Sequence, residues 1–298
     1  MNRAGAAKFD EQNRDGRGSI AFKSVYGVDF SGAKLAGEHI WIACLRPRCG
    51  RHELLELSWL RVLCGCSKRE PALAHLVKMV ASSESALWGM DFPFGLPIEV
   101  VEPGWRWDDQ LRWIGSFAHG AYSLGEECVR RARARGREIH IRRDTDRETK
   151  TPFDCYHYRI IYQTFHGMRD VLLPLSRTKG TAILPFQYRR LPSAKRVIVE
   201  SCPGSTLKRI GLPHQNYKQP QGGPLTPVRR RTRHRILEGL SEHIDIPRSA
   251  ERVMMRNQGG DAIDAVIAAL GAIQGWVNAD HRAIGKHPRY PLEGRLYV

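Results

Sequence analysis

Acidic residues recur at corresponding places along the chain. Asp29 closes Gly27-Val28-Asp29-Phe30, Asp91 closes Gly89-Met90-Asp91-Phe92, and Glu200 closes Val197-Ile198-Val199-Glu200. Asp261 and Asp264 stand three apart within residues 261–277, a spacing that sets both on one face of a helix. Clustered carboxylates repel one another, and their pKa values rise unless a cation neutralises them. Hard oxygen ligands of this kind suit magnesium or manganese. Two such ions about 3.5–4 Å apart clamp the attacking and leaving oxygens of a phosphoryl displacement. Each acid also fits a plainer role. An aspartate at a strand end serves as a turn or cap residue. Asp261, after Gly259-Gly260, suits the first turn of a helix, and Glu200 suits an ion pair with an arginine. The joint pattern is what points to a site.

The elements that would carry these acids read as α/β. Residues 25–31, 40–45 and 53–60 are short apolar runs separated by turn residues, a three-stranded meander. Residues 71–82 have helical spacing with Pro71 at the start. Residues 86–91 and 196–200 are further strands, each ending in an acid, and a helix is predicted around 156–173. Residues 261–277 form the clearest helix. Ala265, Ala268 and Ala272 lie on its acidic side, and Ile263, Val266, Ile267, Leu270 and Ile273 lie opposite. Small side chains beside the acids would let this helix approach other carboxylates. Ligands of open α/β sheets bind beyond the carboxyl ends of the strands, so the acids converge there if their strands are parallel neighbours. The expectation is a mixed five-stranded sheet flanked by helices, with a long basic insertion, about 98–195, before the last strand.

Composition narrows the partner. The 298 residues carry a net charge of +16 with 42% hydrophobic content, which suits a globular chain with a polyanionic partner. No apolar run is long enough for a membrane span. Residues 1–23 are polar and Gly/Arg-rich without an apolar stretch, and read as a disordered arm rather than a secretory signal. Seven cysteines, an odd number, suggest reduced thiols and a cytoplasmic protein. Cys64-Gly65-Cys66 with Cys49 lacks the paired spacing of a zinc site. Residues 129–150 hold nine Lys/Arg against four acids, and Arg229, Arg230, Arg231, Arg233 and Arg235 form a second cluster without acids. Arginine forks match phosphate oxygens, although a charge run is as often a solvated face. Lys34, just past Asp29, and Tyr217-Lys218 are further candidates to touch phosphate. Trp105, Trp107 and Trp113 suit packing better than base stacking. His157 and His166 read as structural.

Several segments together resemble one known group. They are residues 26–34 with the following strand, Gly89-Met90-Asp91-Phe92-Pro93-Phe94-Gly95-Leu96-Pro97, the Arg/Asp/Thr-rich stretch 142–147, and Gln163-Thr164-Phe165-His166-Gly167. Glu200 with Pro203, residues 207–213, Tyr217-Lys218 and Asp261-Ala262-Ile263-Asp264 complete the set. Across about residues 24–280 the chain resembles the domain-of-unknown-function 429 family, described as predicted nucleases of RNase H-like fold. The resemblance implies a single RNase H-like domain over 24–298. It implies a metal-dependent nuclease holding Mg2+ or Mn2+ on Asp29, Asp91 and Asp264, with Asp261 or Glu200 assisting. Asp29, from the first strand, would bridge both ions. Arg142, Arg143 and Arg159, in the family-like segments, join Lys34 and Lys218 as expected substrate contacts. The expected partner is DNA or RNA, with no membrane. The alternatives are a non-catalytic nucleic-acid binder on the same fold, an ATP-binding protein of the actin and sugar-kinase type, and a hydrolase of small nucleotide-like phosphodiesters.

Overall fold

In the computed structural model, residues 21–298 are described, save Cys49, Arg137 and Gln221. All but the last three residues of the expected N-terminal arm lie outside the described residues, as do Arg137 of the first basic run and Cys49. The first apolar runs form the expected meander. β1 (Ser24–Asp29) pairs antiparallel with β2 (Trp41–Arg48), and β2 with β3 (Arg51–Trp59). On its other side β1 pairs in parallel with β4 (Ala86–Met90), which pairs in parallel with β6 (Arg196–Glu200). β4 and β6 are buried at every residue, which is why they read as unbroken apolar runs rather than alternating ones.

The sheet has seven strands among the described residues, not five, in the order β5-β6-β4-β1-β2-β3-β7. The additional strands are edge strands, β5 (Thr181–Ile183) on β6 and β7 (Ile244–Asp245) on β3. With three and two residues they are too short for a period of two to register. β5 lies inside the expected insertion, and β6 is followed by another strand.

Helices cover both faces. One face carries α1 (Arg69–Ser82), α2 (Trp107–Ser116) and α3 (Gly120–Ala134), packed around Val28, Phe30, Met90 and Phe92. The other carries α4 (Pro227–Ser241) and α5 (Asp261–Val277), packed around Val25, Leu87 and Val199. The helix expected over 156–173 begins later, at Ile161, and runs through a π-helical turn at Gly167–Leu172 into Leu173–Ser176. At Gly167 the ring of Phe92 occupies the space of a side chain, so only glycine lets this segment lie on the sheet. The tryptophans pack as expected. Trp107 is buried, stacks on Phe186 at 4.1 Å and donates to the Phe94 carbonyl at 2.6 Å. No helix among the described residues is long and apolar enough to cross a membrane.

A carboxylate cluster at the ends of β1 and β4

The echo between Gly27-Val28-Asp29-Phe30 and Gly89-Met90-Asp91-Phe92 has a geometric cause. Side chains two apart on a strand share a face. Gly27 and Asp29 therefore face α5, and Gly89 and Asp91 do the same one strand over. A Cβ on Gly27 would collide with the Ala265 carbonyl and stand 2.9 Å from Ala269 Cα. One on Gly89 would stand 2.6 Å from Ala272 Cβ and 2.7 Å from Ala268 O. The two glycines are register partners, so α5 lies directly on the β1–β4 pair. Its first turn, with Asp261 and Asp264, then falls at the strand ends that carry Asp29 and Asp91. The alternate residues face away, and Phe30 and Phe92 meet at 4.5 Å in the opposite core.

Electrostatics tie the four aspartates into one site. Burial raises Asp29 well above the usual carboxylate range. Lys218 opposes the rise, and the charges of Asp264, Asp261 and Asp91 add to it. Burial and then the Asp264 charge push Asp91 up to about 7. Burial also raises Asp261, against the pull of Lys218. Asp264 is 1% exposed, and both its oxygens are engaged. Tyr217 donates its hydroxyl to Oδ1 at 2.8 Å, and the Lys218 ammonium pairs with Oδ2. Burial works against the charge on Lys218, but Asp264 holds its pKa well above that of a free lysine.

The loop bearing Tyr217 and Lys218 is held by Arg233. This residue corrects the expectation that residues 229–235 present a uniform phosphate-tracking cluster. Arg233 is fully buried on α4, where it donates to the carbonyls of Tyr217, Met254, Asn257 and Gln258 at 2.6–2.8 Å. Burial lowers its pKa, and the Asp264 and Asp261 charges partly offset this. Arg230, Arg231 and Arg235 on the same helix are exposed.

Glu200, whose charge adds a smaller part to the rise of Asp91, is itself engaged in an ion-pair triad. Arg143 donates Nη1 to Glu200 Oε2 at 2.9 Å and Nη2 to Oε1 at 2.5 Å. It also donates Nε and Nη2 to Asp146 at 3.0 and 2.8 Å. Burial raises Glu200 and Arg143 pulls it back. Glu200 Oε2 also accepts from the Phe94 amide at 3.0 Å, fixing the loop that follows Asp91. Arg143 is 1% exposed and its donors are committed, so it braces the scaffold and offers nothing to a phosphate. The other expected substrate contacts are at the surface. Lys34 is exposed, and Arg142 is half-buried and donates to Pro152 O at 3.1 Å. Arg159 is exposed over the rings of Phe153 and Tyr158. Arg130 and Arg131 on α3 pair with Glu127, and Arg131 also lies over Trp113.

In donor chemistry the four aspartates fit a hard divalent cation, because they are buried oxygen ligands whose mutual repulsion Lys218 offsets only in part. In arrangement, no group of three or more His, Cys, Asp or Glu side chains among the described residues is set to hold an ion. The cation in contact with Asp264 is Lys218. The chain matches no protein-family model, no curated protein and no solved structure.

Proposed function

We propose that the chain is a metal-dependent phosphodiester hydrolase acting on nucleic acid, built on an RNase H-like arrangement. The observation that carries this reading is the gathering of Asp29, Asp91, Asp261 and Asp264 at the ends of β1 and β4, where the Asp264 charge adds to the rise that burial imposes on the other three. Acids on the first strand, after the fourth strand and on a late helix match the order expected of that fold. Asp29, Asp91 and Asp264 would hold Mg2+ or Mn2+, and Asp29, coupled to all three other aspartates, suits a bridging position. When bound, such ions acidify a water for attack and balance charge on the phosphoryl oxygens. Glu200 acts as a positioning residue through Phe94 and Arg143. Exposed Lys34, Arg159, Arg230, Arg231 and Arg235 would meet the phosphate backbone. A reducing compartment such as the cytoplasm belongs to the same proposal, supported by the six free cysteines among the described residues.

The test is cleavage of single- and double-stranded DNA and RNA with Mg2+, with Mn2+ and with EDTA. Wild type should cleave in either metal, and Asp29→Asn should not, while unfolding at the same temperature or higher. Cleavage that persists in Asp29→Asn sinks the reading. The non-catalytic alternative draws support from Lys218, which already neutralises Asp264. It predicts salt-sensitive binding without metal-dependent turnover.

A further inference from the structure

The turn that leads into the helix beginning at Ile161 is aromatic and shows no acid to solvent. Across residues 152–163 the one acid is Asp154, which is buried. Its Oδ2 pairs with His140 at 2.9 Å and its Oδ1 accepts from the Tyr156 amide at 3.2 Å. The inner side of the turn is locked. The buried Tyr156 accepts from Ile141 N at 2.6 Å and donates its hydroxyl to Ile139 O at 3.0 Å. Thr164 donates Oγ1 to Cys155 O. The outer side is a run of rings. Phe153 stacks on His157 at 4.5 Å, and His157 lies 4.4 Å from Tyr158. Tyr158 and Tyr162, four residues apart, are 64% and 47% exposed. Holding such rings in water forgoes the gain of burying them. A braced turn that does so points to a partner with flat faces.

The place and the charge of this surface narrow the partner. Gln163 donates Nε2 to the carbonyl of Phe30, the residue after Asp29, at 2.7 Å. A Cβ on Gly32 would collide with the Tyr162 carbonyl. The rings therefore flank the chain as it leaves β1. Arg159 is exposed, with its guanidinium 5.4 Å and 5.7 Å from the ring centres of Phe153 and Tyr158. Lys34, in the loop after β1, is exposed as well. Rings and cations without an exposed acid complement a polyanion.

We propose that Tyr158 and Tyr162, with Arg159, form a stacking surface for unpaired bases, so that the chain takes single-stranded nucleic acid. The proposal rests on the nucleic-acid part of the reading above and needs no metal. In a duplex the bases hide their faces against one another. In a single strand each base offers a π-face, which an aromatic ring accepts whatever the sequence. A guanidinium lying over a ring can still turn its edge to a phosphate.

The experiment is fluorescence anisotropy of labelled oligonucleotides with the full chain, in EDTA so that no metal-dependent cleavage intervenes. A single strand, its duplex and an abasic single strand of the same length are compared. Wild type should bind the intact single strand about tenfold or more tightly than the other two. Tyr158→Ala with Tyr162→Ala should weaken binding of the intact strand about tenfold or more, and leave duplex and abasic binding within about twofold. Tyr158→Phe with Tyr162→Phe, which keeps both rings, should bind as wild type does. If the alanine variant does not fold, the intact and abasic strands compared on wild type decide the matter. Equal binding of those two strands by wild type, or undiminished binding by a folded alanine variant, overturns the stacking surface and leaves the hydrolase reading standing. Absence of binding to all three ligands overturns the nucleic-acid reading, and the surface falls with it.

Discussion

Gly27 of β1 and Gly89 of β4 face each other in register, and the backbone of α5 rests on both. This contact sets the height of α5 above the sheet, and with it the distance from Asp264 to Asp29. At Gly27 the obstacle to a side chain is main chain inside a buried helix, which cannot step aside as a flexible side chain would. Gly27→Ala should destabilise the protein by about 1–3 kcal/mol or more through overpacking. Urea unfolding measures it, and wild-type stability in Gly27→Ala would contradict the close approach.

The acids should divide into two kinds by stability. Glu200→Ala leaves the buried Arg143 with half its charge partners, a loss of about 3–5 kcal/mol for a broken buried pair. Burial, and after it the charges of Asp264, Asp261 and Asp91, disfavours a charge on Asp29 despite the pull of Lys218, so in EDTA near neutral pH the stability of Asp29→Asn should equal or exceed that of wild type. Unfolding curves of the two variants settle the matter, and a large loss in Asp29→Asn would mean that its charge is a structural asset.

Asp91 carries a pH signature. Its pKa rises from 3.8 to about 7 on folding, so the folded state binds the proton more tightly than the unfolded chain. The contribution is fully present below about 3.8 and is lost as pH rises through about 7. In EDTA, wild type should therefore lose more stability between pH 5 and pH 8, chosen as roughly bracketing this window, than Asp91→Asn does. Parallel pH profiles for the two proteins would show that Asp91 is not held protonated.

The exposed face of α4 offers a test of the polyanion partner. Changing Arg230, Arg231 and Arg235 together to Gln should reduce the slope of log affinity against log salt by about 2–3 for a nucleic-acid ligand. Thermal unfolding should move little, since none of the three is buried. An unchanged slope would take this face out of the binding surface.

Much of this site can be read in the chain because two strands solve the same local problem. Each needs a glycine under α5, an acid two residues on, and apolar residues facing the other core, and the repeat Gly-x-Asp-Phe is the result. The bounds of α5, Asp261–Val277, follow from its largely apolar run after Gly259-Gly260. What stays hidden is tertiary. Helical spacing does set Arg233 on the face of Ile236, Leu237 and Leu240, but the carbonyls of residues 254–258 that it meets there come from another element. Arg143 and Glu200 meet across 57 positions, and no local pattern joins Lys218 to Asp264.

The burial of α5 has a consequence for motion. Residues 262–272 of this helix are all shielded from solvent, so their amide hydrogens should exchange with deuterium only when the whole domain opens. Lys218 meets the same helix at Asp264 from a loop, with part of its side chain exposed.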